Sequence, residues 1–326
     1  MKAAKMDKHK PTPQYFWKGR NADSIEYWHQ KVQCTESLLA DKNSEKKIAL
    51  LGYAVDEGVR RNQGRVGAQI GPDSIKSVMG SMAYHLPESL AILDYGNIWL
   101  EGSDLESIHE LTQSTISELL RHRHFPVILG GGHDLAFPHG AAIIGHLAEK
   151  GESLGILNLD AHFDLRQKVN GQGHSGSPFL QLHEYAKTKA VPLQYVCLGI
   201  QKAANPPFLF EKAKLTGTWW LESDSCNLSE WDKTQDVLNS LLDKVNKVYL
   251  SIDLDAFSSA FAPGVSAASP MGFDPNYALR VIEHLAKSKK LISMDVVELN
   301  PSFDQDLCTA KLAARCIEFT LRKIWE

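Results

Sequence analysis

Eight short runs rich in apolar and β-branched residues recur along the chain. They are KIALLGYAV (47–55), LAILDYGNI (90–98), PVILGG (126–131), LGILNLDAH (154–162), LQYVCLGI (193–200), TGTWWLES (216–223), KVYLSIDLDAF (247–257) and KLISMDVVELN (290–300). Most are apolar almost without alternation, as strands buried on both faces of a parallel sheet read. Helical spacing falls between them, over 72–83, 104–122, 137–149, 229–245, 274–288 and 306–324. In the last, Ala310, Leu312, Ala313, Cys316, Ile317, Phe319, Thr320 and Ile324 sketch one apolar face. Strand–helix alternation predicts an α/β fold. No repeat, low-complexity tract or linker divides the chain, so one domain over 1–326 is expected, with residues 1–45 as an N-terminal extension. The pattern alone does not choose between a closed eight-stranded barrel and an open doubly wound sheet. Both place ligands at the carboxyl ends of their strands.

Composition narrows the partners. The 326 residues are 43% hydrophobic and 23% charged, with a net charge of −4. That balance advertises neither nucleic-acid nor anionic-membrane binding. The basic start, with Lys2, Lys5, Lys8 and Lys10, reads as a solvated terminus. No apolar run reaches the roughly 18–20 residues of a membrane span, and the N-terminus lacks the apolar core of a secretory signal. Cys34, Cys197, Cys226, Cys308 and Cys316 are an odd, scattered set without a C-x-x-C pair. They suit reduced thiols in a cytoplasmic protein, with Cys197 as a small buried hydrophobe.

The unusual polar residues gather at strand ends. The run at 154–162 leads into Asp160-Ala161-His162-Phe163-Asp164, and alternation lets 160, 162 and 164 converge while Ala161 and Phe163 pack behind. The run at 247–257 holds Asp253-Leu254-Asp255, and the run at 126–131 leads through three glycines to His133-Asp134. Either acidic motif alone is compatible with a capped strand end. Together, four Asp and two His repel or compete unless cations neutralise them, and mixed Asp/His ligation suits Mn²⁺ or Zn²⁺ better than Ca²⁺.

At these residues the chain resembles the ureohydrolase family, which contains arginase, agmatinase and formimidoylglutamase. The motifs are GGGHD (130–134), NLDAHFD (158–164), SIDLDAF (251–257) with APGVSA (262–267), and VELNP (297–301), in family order over roughly residues 47–322. The resemblance implies a three-layer α/β/α fold with a mainly parallel, roughly eight-stranded sheet. It also implies two Mn²⁺ per chain and a bridging hydroxide as nucleophile. His133, Asp160, Asp164 and Asp253 are implied to hold one ion. His162, Asp255 and the bridging Asp160 and Asp253 are implied to hold the other. By the same carry-over Glu298 pairs with a cationic amidine or guanidine and His174 shuttles protons. Asp164 would also stabilise the tetrahedral intermediate and take a proton from the attacking hydroxide.

Within the family, the loop VDEGVRRNQGRVGAQIGP (55–72) is similar to that of formimidoylglutamases, and Arg166 stands where arginases carry a neutral Asn. N-formimidoyl-L-glutamate offers a cationic amidine and two carboxylates, which arginine forks suit. Arg166 is the first candidate, followed by Arg60, Arg61 and Arg65, each of which could equally pair with Asp56 or Glu57. The implied reaction is hydrolysis to L-glutamate and formamide, a step of histidine degradation, with a small molecule as the partner and self-association expected. The alternatives are a guanidine hydrolase acting on agmatine, guanidinobutyrate or arginine, a single-metal deacetylase of related architecture, or a non-catalytic metal-binding relative. The Gly130–Gly132 triplet lacks G-x-G-x-x-G spacing, which leaves a dinucleotide site little support.

Overall fold

The computed structural model describes residues 8–35 and 47–326. Residues 1–7 and 36–46, which carry Lys2, Lys5 and part of the expected extension, lie outside the described residues. Ten strands form one sheet. They are β1 (His9–Lys10), β2 (Val32–Cys34), β3 (Lys47–Ala54), β4 (Ala91–Trp99), β5 (Phe125–Leu129), β6 (Leu154–Leu159), β7 (Leu193–Ile200), β8 (Trp219–Glu222), β9 (Lys247–Asp253) and β10 (Leu291–Val297). Their spatial order is β1-β4-β3-β5-β10-β9-β6-β7-β8, with β2 also on β4, and only the β1–β4 pair is antiparallel. All eight predicted strands are present, and the sheet is open.

Alternate residues of the strands feed two apolar cores. Ile48, Leu50, Val127, Leu250 and Val296 point to one face; Leu51, Ile128, Ile156 and Tyr249 point to the other. The first face is covered by α3 (Gly71–Met79), α8 (Trp231–Lys244), α9 (Pro275–Lys287) and α10 (Cys308–Trp325). The second is covered by α4 (Leu105–Arg121), α5 (Ala136–Ala148), α6 (Pro178–Thr188) and α7 (Pro207–Thr216). This is the three-layer arrangement. The short helices α1 (Trp28–Lys31) and α2 (Glu57–Arg61) lie in connections. The helix starts follow local chemistry: Asp104 accepts from the Ser107 N–H, Asp274 caps α9, and prolines open α6, α7 and α9 where no N–H is needed.

Residues 8–35 belong to this body. Beyond adding β1 and β2 to β4, they bury Trp17 and Trp28 in the first core. Fully buried Lys76 bonds Thr12 at 2.7 Å, Asp94 at 2.8 Å and Asn97 at 2.9 Å, while the Trp17 indole donates to Asp94. A buried ammonium is tolerated because every proton has an acceptor. Among the described residues no helix is long and apolar enough to cross a membrane.

Candidate metal centre and substrate cavity

β5, β10, β9 and β6 are neighbours at the middle of the sheet, and the polar residues sit just past their carboxyl ends. Alternation along a strand is not what makes them converge. β6 stops at Leu159, and Asp160 to Asp164 form a loop in which Asp164 takes a left-handed backbone, φ 50°. Asp160 folds that loop by accepting the His162 N–H at 2.7 Å, and Ala161 and Phe163 pack behind it. After β9 a single helical turn follows, with Asp253 accepting the Asp255 N–H at 2.8 Å. Glu298 follows β10 at φ 68°, a strained conformation for a non-glycine residue, and accepts the His133 N–H at 2.7 Å.

Two ligand groups result: His133, Asp160 and Asp253, and Asp160, His162 and Asp255. Asp160 is common to both. His133 Nδ1 lies 3.2 Å from Asp160, 3.1 Å from Asp164 and 3.0 Å from Asp253. His162 Nδ1 lies 3.1 Å from Asp255 and 3.5 Å from Asp160. One feature tests the fit to cations. Buried His133 Nδ1 makes no hydrogen bond despite three carboxylate oxygens around it. A single N–H cannot serve three acceptors, whereas a cation among them can. The donor set, imidazole nitrogens with carboxylate oxygens, suits Mn²⁺.

The electrostatics say the same. Without a cation, burial and the neighbouring Asp255 and Asp160 push Asp253 well above the ordinary carboxylate range. Burial also lifts Glu298 to about 8. Burial opposes protonation of His133 and His162, but the surrounding carboxylates override it and raise both. Burial works against ionised Asp160 too, yet the two imidazoles hold it low. The cluster takes up positive charge by whatever means it finds.

A cavity of about 430 Å³ opens above these residues. His133, His162, Asp164, Asp253, Asp255 and Glu298 form its floor, and Arg166 stands in its wall. The Arg166 guanidinium lies 5.6 Å from the Phe208 ring, and among the described residues it has no carboxylate partner. The other three arginines are spent elsewhere. Arg60 and Arg61 both pair with Glu57, Arg61 also with Glu106, and Arg65 clasps the carbonyls of Val265 and Ser266. None of the three lines the cavity. His174 does not reach it either: its Nε2 meets the Gln167 carbonyl at 3.0 Å and its Nδ1 accepts the Gly176 N–H at 3.2 Å. Both ring nitrogens are engaged within its own loop. A second, surface groove of about 550 Å³ is lined in part by Arg322 and the two glutamates it already pairs with, Glu318 and Glu326.

The arginase family model matches residues 46–321. The chain belongs to the arginase family. The formimidoylglutamase of Aeromonas hydrophila is 37% identical over 316 residues, covering 96% of this chain and 98% of that one. The crystal structure of the formimidoylglutamase from Bacillus subtilis aligns with TM-score 0.82 at 21% identity, over 94% of each chain. The Trypanosoma cruzi formiminoglutamase with Mn²⁺ aligns with TM-score 0.74 at 26% identity, over 88% of this chain and 96% of that one.

This arginase-family cavity also uses residues not picked out from sequence. Asn62, Gln63, Ser175, Asn205 and Ser266 line its upper part. Asn62 donates to Ser175 at 3.1 Å, and Asn205 braces the ligand loop through Phe163 N and the Ala161 carbonyl. Asn and Ser in loops are common, so only the fold distinguishes these. Cys197 bonds the His162 carbonyl from below, and burial holds its thiol well above the usual range, which leaves it inert.

Proposed function

We propose that this chain is a binuclear manganese hydrolase that cleaves the amidine C–N bond of N-formimidoyl-L-glutamate, giving L-glutamate and formamide. The observation that carries the reading is the pairing, in one cavity, of the buried floor carboxylate Glu298 with Arg166, which has no acid partner among the described residues. Relatives named formimidoylglutamase over nearly the whole chain support it. In this reading His133, Asp160, Asp164 and Asp253 would hold one ion, and His162 and Asp255, with Asp160 and Asp253, would hold the other. When bound, two Mn²⁺ ions neutralise the carboxylates and lower the pKa of water between them.

The residues divide the remaining work. Glu298, fixed by the His133 N–H, pairs with the cationic amidine and orients its carbon over the floor. Burial, aided by the nearby Asp255 and Asp164, favours the protonated form of Glu298, and a cationic amidine beside it favours the ionised one. Asp164 takes a proton from the attacking water on a carboxylate oxygen and returns it to the glutamate nitrogen as the C–N bond breaks. Arg166 binds a substrate carboxylate, with Asn62, Ser175 and Ser266 as neutral donors around it. The same reading makes the enzyme cytoplasmic, self-associating and one unit over residues 1–326, with residues 1–45 preceding the main strands.

A substrate panel tests it. The full-length, Mn²⁺-loaded protein is expected to turn over N-formimidoyl-L-glutamate at least roughly tenfold faster, in kcat/KM, than agmatine, 4-guanidinobutyrate or arginine. Loss of one charge-assisted contact alone is worth about 1.5–3 kcal/mol. Release of urea from a guanidine substrate at higher efficiency would refute the amidine assignment.

A further inference from the structure

On the sheet face beneath α5, two central strands carry a polar stripe inside the apolar core. β9 turns Tyr249, Ser251 and Asp253 to that face, and the register sets Ser293 of β10 beside Tyr249 and Asp295 beside Ser251. Tyr249, Ser251, Ser293 and Asp295 are fully buried, as is His139 of α5 above them. Buried polar groups persist only where each finds partners.

These partners form a chain that ends at the candidate centre. Ser293 Oγ donates to the Pro126 carbonyl at 2.8 Å and meets His139 Nε2 at 2.6 Å. His139 Nδ1 lies 2.7 Å from Asp295 Oδ2, to which Tyr249 also donates. Asp295 Oδ1 accepts from Ser251 at 2.7 Å. Ser251 Oγ lies 3.0 Å from Nε2 of His133, whose Nδ1 faces Asp160, Asp164 and Asp253.

Counting protons gives the chain a direction. Tyr249 donates to Asp295 Oδ2 and Ser251 donates to Oδ1, so Asp295 meets Ser251 with a lone pair. The one Ser251 proton is thereby committed to Asp295, and the serine can offer His133 only a lone pair. The ring must carry a proton on Nε2, which leaves Nδ1 as the nitrogen that faces the carboxylates and can ligate a cation in place of a proton. A serine free to rotate could donate to Nε2 instead and turn the N–H of the ring into the cation position.

We propose that Asp295, held by Tyr249 and His139, is a positioning residue that fixes the tautomer of His133 through Ser251 and so sets metal affinity at the first ligand group. The proposal rests on His133 being a metal ligand. The competing account is that the stripe only keeps β9 and β10 packed under α5.

Neutron diffraction from crystals of the full chain, metal-free and Mn²⁺-loaded, reads the protons without any substitution. The expected map has deuterium on His133 Nε2 in both forms and the Ser251 deuterium aimed at Asp295. A Ser251 deuterium aimed at an unprotonated Nε2 in the metal-free crystal overturns the proposal. Competition with a chelator of known affinity then reads the consequence. Ser251→Ala and Asp295→Asn should each weaken binding of one Mn²⁺ roughly 10–100-fold, and the other ion less. Ser251→Thr, which keeps the hydroxyl, should recover most of that loss. Variants that melt lower yet bind both ions as tightly as the parent would reduce the stripe to packing and overturn the idea. If Asp295→Asn does not fold, Ser251→Ala and the neutron maps still decide. Retention of two ions by His133→Ala would instead sink the assignment of His133 as a ligand, on which the proposal rests, and a parent chain that binds no Mn²⁺ would sink the metal reading of the site.

Discussion

Arg166 lines the cavity and, among the described residues, has no acid to neutralise it, so a substrate anion is the partner its position invites. Arg166→Ala should lower kcat/KM for N-formimidoyl-L-glutamate by roughly ten- to a few-hundred-fold, mostly through KM, with metal content unchanged. Arg166→Lys should recover part of the loss, because an ammonium cannot reproduce a planar fork. Steady-state kinetics beside elemental analysis check both, and parental kcat/KM in Arg166→Ala would remove it from the substrate site. The ligands allow a second comparison. Asp160 belongs to both groups and Asp255 to one. Asp160→Asn should therefore reduce bound Mn²⁺ from about two per chain toward none, and Asp255→Asn toward one. Equal losses in the two variants would argue against a shared ligand. The Asp and His residues that the structure gathers stood out in the sequence because their motifs pack many ligating types into short segments, whereas Glu298 in VELNP was singled out only by the family resemblance. The arginines and His174 were harder to read. Spacing places a charged side chain near a site, but it does not reveal that Glu57 has already taken Arg60 and Arg61, or that Gln167 and Gly176 occupy the His174 ring.

Among the elements, the turn after β5 shows how tightly the centre depends on backbone. Gly132 N donates to the Val55 carbonyl after β3, and the Gly131 carbonyl accepts from Glu298 N after β10. A Cβ on Gly131 would lie 1.9 Å from the Val55 carbonyl oxygen, a backbone atom that cannot swing away. Gly131→Ala should cost about 1–3 kcal/mol or more in a denaturant titration and weaken metal binding, because His133 and Glu298 move with the turn. A variant with parental stability and parental metal affinity would show that the turn has slack. At this scale, the eight strands and six of the helices could be read from apolar runs and helical spacing. Helices α6 and α7 were missed because eleven and ten residues with a weakly one-sided apolar pattern sketch little of a helical face. β1 and β2 span two and three residues, too short to show any period, and exist because β4 offers them an edge. The alternating Tyr249, Ser251, Asp253 and Ser293, Asp295 were visible inside otherwise apolar strands; only the fold shows that they face each other.

For the molecule as a whole, the crowded carboxylates couple stability to pH. Burial lifts Glu298 from the usual 4.5 to about 8, and Asp253 also stands well above its ordinary range. Between the unfolded and folded pKa, the folded chain keeps a proton the unfolded chain has released, so metal-free stability falls as pH rises, with the Glu298 share lost by about pH 8. Raised His133 and His162 act in the same direction, from the ordinary histidine range upward. Mn²⁺ replaces those protons, so the gain in melting temperature on metal loading should grow by on the order of 5 °C between pH 6 and 8.5. Scanning calorimetry of both forms across that range checks it, and a gain that shrinks with pH would contradict the sign. The other end of the sheet carries a different consequence. β1 and β2 lie along β4, a nine-residue strand whose outward amides and carbonyls would otherwise face water. An open strand of that length is a template for further strands, from this chain or any other. Trimming residues 8–35 would also take Thr12 from Lys76 and Trp17 from Asp94. Light scattering on such a truncation should rise steeply with concentration, although every ligand of the centre is still encoded. The first residues thus act as a hem that keeps one molecule's sheet from being continued by the next.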